Sequence, residues 1–240
     1  GITQAKHREV IKIMKKQFDA IGYSVSAKVL NAANYSVPQK RERFFLIGVK
    51  GDATPAFHFP THFRDRPEYN KFCASFERKI PIHFKKWISL GKTLSKMPNN
   101  YKERDDYAVM KISDEVKNRM THIGTNENFK ALPLELRPDC WKNGKHQGVD
   151  TFGRLDSEDV SVTIRTAAYN PSKGKYIHPV EHRGLDTLEL AAIQTFPKKW
   201  RFRVKGREKI TLVSGGMQIG NAVPPPLAKA LGEVLKRQIS

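Results

Sequence analysis

The sequence predicts an α/β fold in which part of a sheet is followed by a long, irregular segment. Residues 3–20 carry apolar side chains at helical spacing, including Val10, Ile13 and Phe18. Two strand-like runs follow, "YSVSAKVLNA" and "RFFLIGV", and the last quarter of the chain returns to helical patterns. Helix, strand, loop and strand in this order are typical of the closing part of an α/β sheet, so residues 1–50 are not expected to form a domain alone.

The connections around the two strands carry the next signals. Gly22 follows the first helix in the position where a glycine commonly ends one. The turn-rich "ANYSVPQKR" then leads into "VPQKRERFFLIG", residues 37–48, where Arg41 and Arg43 alternate. Alternate residues of an extended segment point to one face. Two guanidinium groups on one face suit a planar, oxygen-rich ligand.

The middle of the chain gives only short, interrupted signals. Short helices are predicted at "WISLGKTLSKMP" and "DEVKNRM". The stretch "GVDTFGRLDSEDVSVTIRTAAYNPSKGKYIHP" alternates strand-like runs with turns and predicts an irregular, β-rich module.

The end of the chain is helical apart from one basic stretch. "LDTLELAAIQTFP" places Leu185, Leu188 and Ile193 on one helical face, and its proline ends the helix. "KKWRFRVKGREK" follows, with Trp200 and Phe202 between its cations. This stretch suits contact with phosphates, and a solvated loop with its aromatic rings anchored in the core explains it equally well. "IGNAVPPPLAKALGEVLKRQI" predicts a turn and a helix with prolines in its first turn.

The charge balance points to a polyanion partner. The chain holds 43 Lys and Arg against 24 Asp and Glu, a net charge of +19. Nucleic acid is the usual partner of such a surface, a membrane surface is the weaker alternative, and a solvated basic protein is the third. No apolar run has the length of a membrane span and no secretory signal opens the sequence, so a cytoplasmic protein is expected.

A metal site is not expected. His58 and His62 have a four-residue spacing, but Pro60 between them favours a loop over a helix. Cys73 and Cys140 are the two cysteines of the sequence, which is too few for a disulfide framework or a zinc ligand set.

Three stretches together resemble the DNA cytosine methyltransferases that modify ring carbon 5. "VPQKRERFFLIG" looks like their Gln-x-Arg-x-Arg motif, "RGLDTLELAAIQTFP" is similar to the motif that follows, and "QIGNAVPPPLAKALG" resembles the last one. The resemblance implies the final part of a Rossmann-like methyltransferase sheet at residues 1–50. It also implies an inserted target recognition domain at residues 51–182, and a C-terminal helical segment at residues 183–240 that returns to the catalytic domain.

Three features of that family are absent from the sequence. They are the Pro-Cys loop of the nucleophile, the Glu-Asn-Val motif and the Gly-rich loop for S-adenosylmethionine. Cys73 lies in "KFCAS" and Cys140 in "RPDCW", so neither follows a proline. The resemblance therefore implies the C-terminal half of such an enzyme, either a natural subunit of a split bacterial restriction–modification methyltransferase or a fragment of a longer chain.

The missing features define the expected partners. The S-adenosylmethionine site, the nucleophilic cysteine and the catalytic glutamate are expected on an N-terminal methyltransferase half, and double-stranded DNA is the expected substrate. The chain is expected to be inactive without that half. Alone, it should expose apolar faces and be poorly soluble or form homo-oligomers.

The family reaction assigns roles to the first motif. The target cytosine is extruded into a pocket, a thiolate adds to ring carbon 6, and the methyl group moves from S-adenosylmethionine to carbon 5. By resemblance, Arg43 reaches the cytosine carbonyl oxygen, where negative charge develops. Arg41 and Gln39 are expected to brace the pocket and the adjacent phosphate. The structural alternative is that both arginines pair with local carboxylates such as Glu42.

The last two motifs give further expectations. Asn221, Ala222 and Val223 resemble the family positions that close over the cofactor, and a plain helix-entry turn is the alternative. The family helix usually has an arginine before its glutamate, whereas Leu188 precedes Glu189 here. Glu189 is therefore expected to hold a basic partner inside the fold rather than to act as an acid.

DNA sequence reading needs side chains that pair with base edges. The stretch "TIRTAAYNPSKGK" has this composition, and its first Thr resembles the Thr of a short signature in the family's recognition region. The candidates for base and phosphate contacts are Thr163, Arg165, Tyr169, Asn170 and Lys173, and an ordinary polar loop is the alternative. The candidates for phosphate alone are Lys198, Lys199, Arg201 and Arg203. Lys-rich runs position a protein on the DNA backbone without reading the base sequence.

Two other classes compete with the enzyme. A non-catalytic DNA-binding relative would act as an accessory or regulator, and a basic RNA-binding protein is weaker because no aromatic stacking motif is evident. The intact Gln39, Arg41 and Arg43 set and the "GNAVPPP" turn favour the enzyme. A simple DNA binder needs neither the wall of a cytosine pocket nor the turn that closes over a cofactor.

Overall fold

The computed structural model describes residues 8–76, 80–142, 148 and 150–239. In chain order its helices and strands are α1 (Arg8–Ala20), β1 (Tyr23–Asn31), β2 (Glu42–Lys50), α2 (Arg66–Ala74), α3 (Leu90–Leu94), α4 (Asp114–Thr121), α5 (Asp139–Lys142), α6 (Thr187–Ile193), α7 (Leu212–Asn221) and α8 (Pro225–Ile239). None of the helices in these stretches is both long and apolar enough to cross a membrane.

The chain divides into two compact units. The first unit comprises the described residues of Gly1–Ser36, Arg41–Trp87 and Pro225–Ser240. The second unit comprises those of Val37–Lys40 and Ile88–Pro224. The family-based division at residues 50 and 182 stays a prediction.

The first unit is built on a hairpin. Strands β1 and β2 pair antiparallel over their whole length, from Tyr23 opposite Lys50 to Asn31 opposite Glu42. Helix α1 contacts β1, and the ring of Phe18 meets that of Tyr23 edge to face. The predicted first helix is confirmed over Arg8–Ala20, and its predicted residues 3–7 lie outside the described residues. Both predicted strands are confirmed. Gly22 has a φ of 79°, the left-handed backbone that ends the helix.

The second unit surrounds helix α6. Asp186 caps this helix by accepting the N–H groups of Leu188 and Glu189, and the Glu189 carboxylate accepts the N–H of Asp186 in return. Leu190 and Ile193 of α6 are fully buried, and they belong to a core that α3 and α7 complete. A second cluster around Met120, Phe129, Trp141 and Phe152 joins α4 to α5.

The prediction of a β-rich module is wrong. In the described part of residues 51–182, backbone pairing is limited to isolated bridges such as Phe63 with Lys86 and Arg154 with Ile177. The segment is rich in prolines, glycines and turn-forming Asp and Asn residues, which interrupt a ladder. Its backbone groups bond one another in turns and isolated bridges, and some bond side chains; for example, the Ile164 N–H donates to Gln39. Over the described residues, the observed architecture is mixed helices with one two-stranded sheet.

Candidate functional site

Two buried glutamines connect four of the sequence stretches described above. Gln39 is 0% exposed, and its Oε1 accepts the N–H of Ile164 at 2.8 Å. Its Nε2 donates to Oε1 of Gln194 at 2.6 Å. Gln194 is equally buried, and its Nε2 donates to the carbonyl oxygens of Ile219 at 2.8 Å and Ala222 at 2.9 Å. We call Gln39 and Gln194 the glutamine pair.

Backbone contacts hold the first glutamine in place. Gln39 and Ser161 form an isolated parallel β-bridge. The Lys40 N–H donates to the Ser161 carbonyl at 2.8 Å, and the Ser161 N–H donates to the Pro38 carbonyl at 2.9 Å. The Thr163 hydroxyl donates to the Lys40 carbonyl at 2.6 Å. The predicted DNA-contacting hydroxyl of Thr163 is therefore engaged with the main chain of the first motif.

The two motif arginines have different environments. Strand β2 begins at Glu42, so the alternation of side chains does not extend back to Arg41, which is 3% exposed. Arg43 is exposed, and its guanidinium donates to the backbone carbonyl of Glu42 at 2.7 Å rather than to the carboxylate. Partial burial lowers the pKa of Arg43, but an arginine remains a cation at neutral pH.

The predicted base-reading stretch forms a braced loop. The exposed Arg165 donates from Nε to the Tyr176 hydroxyl at 3.0 Å and from Nη2 to the Lys173 carbonyl at 2.8 Å. The Tyr176 hydroxyl donates onward to the Thr163 carbonyl at 2.9 Å. Asn170 caps the next turn by accepting a backbone N–H. Arg165 and Lys173 therefore present cations from a loop whose backbone is fixed internally.

Helix α7 packs closely beneath this loop. A Cβ added to Gly216 would lie 2.3 Å from the Thr166 carbonyl oxygen and 2.8 Å from the Tyr169 ring. A Cβ added to Gly220 would lie 2.5 Å from the carbonyl carbon of Arg165. Only glycine allows this approach of helix and loop.

The basic stretch is held by a partly buried ion pair, which we call the Arg104–Asp106 clamp. Arg104 bonds both carboxylate oxygens of Asp106, at 2.8 and 2.7 Å, and also donates to the carbonyls of Lys198 and Trp200. Asp106 accepts the Phe202 N–H at 3.0 Å. Burial alone would raise the pKa of Asp106, but these hydrogen bonds hold it below its ordinary value.

The four predicted phosphate contacts differ in how far they are already engaged. Arg203 makes a two-pronged ion pair with Asp105, and Lys198 donates to a main-chain carbonyl at 2.9 Å. Lys199 and Arg201 are exposed, and Arg201 bonds only main-chain carbonyls among the hydrogen bonds described. Trp200 between them is 52% exposed.

The predicted cofactor turn lies at the end of α7. Asn221 is the last residue of that helix and is exposed. Ala222 is half-buried, and its carbonyl is the one that Gln194 holds. Val223 is exposed, as is Met217 on α7.

Glu189 lies in a buried ion network. Arg183 bonds both of its carboxylate oxygens, at 2.8 and 2.7 Å, and also bonds Glu181. The prediction of a basic partner for Glu189 is confirmed. His178, Glu181 and Glu189 have ligand atoms within 4.8 Å of one another, as a metal would need. The Arg183 guanidinium already bonds the carboxylates of Glu181 and Glu189, so it would compete with a metal cation for these ligands.

Sequence reasoning missed the residues that organise this unit. Arg154 is 5% exposed and donates to four main-chain carbonyls, including those of Met120 and Ile123. Gln194 stood in the "IQTFP" part of the second motif, which could have drawn attention to it. For Arg154 and Asp106 no local signal was available.

The family is established by comparison with known proteins. The profile of the C-5 cytosine-specific DNA methylases matches residues 1–237. The chain belongs to this family.

The relatives include bacterial type II enzymes. The type II methylase M.HgiDII of Herpetosiphon aurantiacus is 27% identical over 235 residues, which are 95% of this chain and 60% of the relative. The type II methyltransferase M1.HphI of Haemophilus parahaemolyticus is 30% identical over 220 residues, 92% of this chain and 50% of the relative. The chain thus spans about half to three-fifths of these relatives.

Solved structures share the fold. A prophage-encoded E. coli protein assigned as a DNA modification methyltransferase superposes with a TM-score of 0.62 at 18% identity, covering 100% of this chain and 67% of that one. The Dnmt2 methyltransferase of S. pombe gives a TM-score of 0.55 at 10% identity, covering 99% and 64%. The fold is methyltransferase-like.

Proposed function

We propose that this chain is the DNA-recognition half of a DNA cytosine-5 methyltransferase that transfers a methyl group from S-adenosylmethionine to cytosine in a specific DNA sequence. The cofactor site, the nucleophilic cysteine and the catalytic glutamate lie on an N-terminal half, on a separate subunit or earlier in a longer chain. The observation that carries the proposal is the glutamine pair. It joins Gln39, the first residue of the Gln-x-Arg-x-Arg motif, to the recognition loop and to the Asn221–Val223 turn within the second unit.

The catalytic part of the proposal concerns Arg43. Its guanidinium is exposed, cationic and bonded only to a main-chain carbonyl among the hydrogen bonds described. In the extruded-cytosine reaction it stabilises the negative charge that develops on the carbonyl oxygen when the thiolate adds to ring carbon 6. Arg41 and Gln39 are buried, so we assign them to holding this segment rather than to contacting the base.

The DNA surface has two parts. Arg165 and Lys173 on the braced loop take the base and nearby phosphate contacts, and Tyr169, Asn170 and Thr163 shape that loop. Lys199 and Arg201 on the clamped basic stretch take phosphates, with Lys198 and Arg203 beside them. A net charge of +19 supports strong, salt-dependent attraction to a polyanion.

The surface for the N-terminal half is apolar. In the first unit Val10, Ile13 and Ile21 are between 44% and 63% exposed, and in the described residues β1 and β2 pair only with each other as strands. In the second unit Met217 and Val223 are about half exposed beside the proposed cofactor turn. Such surfaces favour burial against another polypeptide, and open strand edges favour strand addition.

The test is reconstitution of methyl transfer. Transfer of labelled methyl from S-adenosylmethionine to duplex DNA is measured with this chain, with the N-terminal half, and with both. Arg43→Ala tests the catalytic role, and Lys28→Ala, which removes an exposed cation from the same hairpin, is the matched control. We expect transfer only in the mixture, lost with Arg43→Ala and kept with Lys28→Ala. A mixture that assembles on DNA but transfers no methyl would identify a non-catalytic DNA-binding relative instead.

A further inference from the structure

We infer that the glutamine pair is a positioning relay that links the recognition loop at Thr163–Lys173 to the turn at Asn221–Val223. The functional names of the two ends rest on the proposed function. The physical link does not, because it consists of three consecutive side-chain contacts, from Ile164 through Gln39 and Gln194 to Ala222.

The direction of every hydrogen bond in the relay is forced. The Ile164 N–H can only donate, so the oxygen of Gln39 must face it. The nitrogen of Gln39 then faces Gln194, which must present its oxygen. The nitrogen of Gln194 is thereby directed at the carbonyls of Ile219 and Ala222, which can only accept.

The two amides are therefore interlocked. Turning over either one alone would bring two donors or two acceptors together in a site without solvent access, where an unpaired polar group is costly. Only one arrangement satisfies both ends at once, and it requires the Ile164 N–H and the two carbonyls to keep their present positions. A displacement of the loop at one end thus changes the bonding available at the other.

A simple packing role does not need this polarity. Two methionines of similar volume would fill the space with no desolvation cost, and close contact of Gly216 and Gly220 with the loop already joins the two segments. What the glutamines add is a directional link, so that the loop that meets DNA and the turn beside the cofactor hold one another in register.

The first test needs no enzyme activity. Hydrogen exchange is measured by mass spectrometry on this chain, on Gln39→Met and on Thr163→Val, which removes a neighbouring hydrogen bond to Lys40 outside the relay. We expect Gln39→Met to speed exchange by about two- to tenfold, which corresponds to the loss of one ordinary hydrogen bond. The faster exchange should appear at Ile164 and also at residues 219–223, although Gln39 makes no hydrogen bond to the latter. Thr163→Val should leave residues 219–223 unchanged. Faster exchange confined to the Ile164 segment in Gln39→Met would overturn the relay.

A second variant covers the case in which Gln39→Met does not fold. As an ionised carboxylate, Gln194→Glu keeps the volume and the acceptor for Gln39 but loses both donor bonds to the carbonyls of Ile219 and Ala222. The relay predicts faster exchange at Ile164, two contacts away, and unchanged exchange there would contradict it.

A separate arm links the relay to function. In the reconstituted enzyme, Gln194→Met should raise KM for both DNA and S-adenosylmethionine, whereas Lys173→Ala should raise it for DNA alone. If the unmodified mixture is inactive, the proposed function fails while the exchange data still decide the relay. If the mixture is active and exchange stays local, the relay fails and the proposed function stands.

Discussion

The buried arginine Arg154 offers a sharp test of how the second unit is held together. Its guanidinium donates to the carbonyls of Met120, Ile123 and His178 at 2.7 Å each, and to that of Glu181 at 3.0 Å. Arg154→Met keeps most of the side-chain volume and leaves these four acceptors without this donor. The Met120 carbonyl keeps the Ile123 N–H as a donor and Glu181 is exposed, so the carbonyls of Ile123 and His178 are the buried acceptors that lose their donor. Each buried acceptor left unsatisfied costs about 1–3 kcal/mol, so the gross loss is about 4 kcal/mol.

Part of this loss is offset. The described contacts of the guanidinium include no carboxylate, and burial lowers the pKa of Arg154, which reflects the cost of removing the charge from water. Replacing it with an apolar group relieves that cost, so we expect Arg154→Met to lower the free energy of unfolding by about 3 kcal/mol.

Urea unfolding followed by tryptophan fluorescence provides the assay, because Trp141 lies in the cluster that Arg154 supports. Arg207→Met, at an exposed arginine of the same unit, is the control and should change stability by no more than about 0.5 kcal/mol. An Arg154→Met loss below about 1 kcal/mol, similar to the control, would refute the reasoning that the buried carbonyls of Ile123 and His178 depend on this donor.

Three further predictions follow from other contacts. Lys199→Ala should weaken DNA binding about equally for all DNA sequences, as measured by fluorescence anisotropy. It should also reduce the slope of log affinity against log salt concentration by about one, and an unchanged slope would exclude a phosphate contact of Lys199. Arg183 holds the pKa of Glu181 at about 2, against an ordinary 4.5. The stabilisation by this carboxylate is therefore full above pH 4.5 and disappears as the pH falls toward 2, so the stability difference between the wild type and Glu181→Gln should shrink over that range; a difference that grows would contradict the sign. Gly216→Ala should lower Tm because its Cβ would meet a carbonyl oxygen at 2.3 Å, whereas Gly232→Ala, with open space, should not; equal Tm values would contradict the close approach of helix and loop.

Local signals predicted the elements that depend on local order. The first helix, both strands of the hairpin, α6 and the proline-opened α8 follow from periodicity and from turn residues close in sequence. The prediction of a β-rich module was wrong because strand-like alternation of residue types does not ensure that a neighbouring strand is available for pairing. The Asp and Pro residues of these stretches also favour turns.

The candidate site was predictable in its motifs but not in its contacts. Gln39 was singled out from its motif, yet its amide partners lie 125 and 155 residues away in sequence, so its burial had no local signal. In the basic stretch, one of the two aromatic rings is anchored in the core, because Phe202 is 2% exposed while Trp200 is 52% exposed, and the phosphate contacts stay a prediction.

The central claim is tested most directly by methyl transfer in the reconstituted mixture with Arg43→Ala. The variant should still bind DNA with the N-terminal half, because Arg43 is one cation among many, while its kcat falls by about 10²–10³, as for the loss of one preorganised group at a developing charge. Methyl transfer at the wild-type rate by Arg43→Ala would contradict the account.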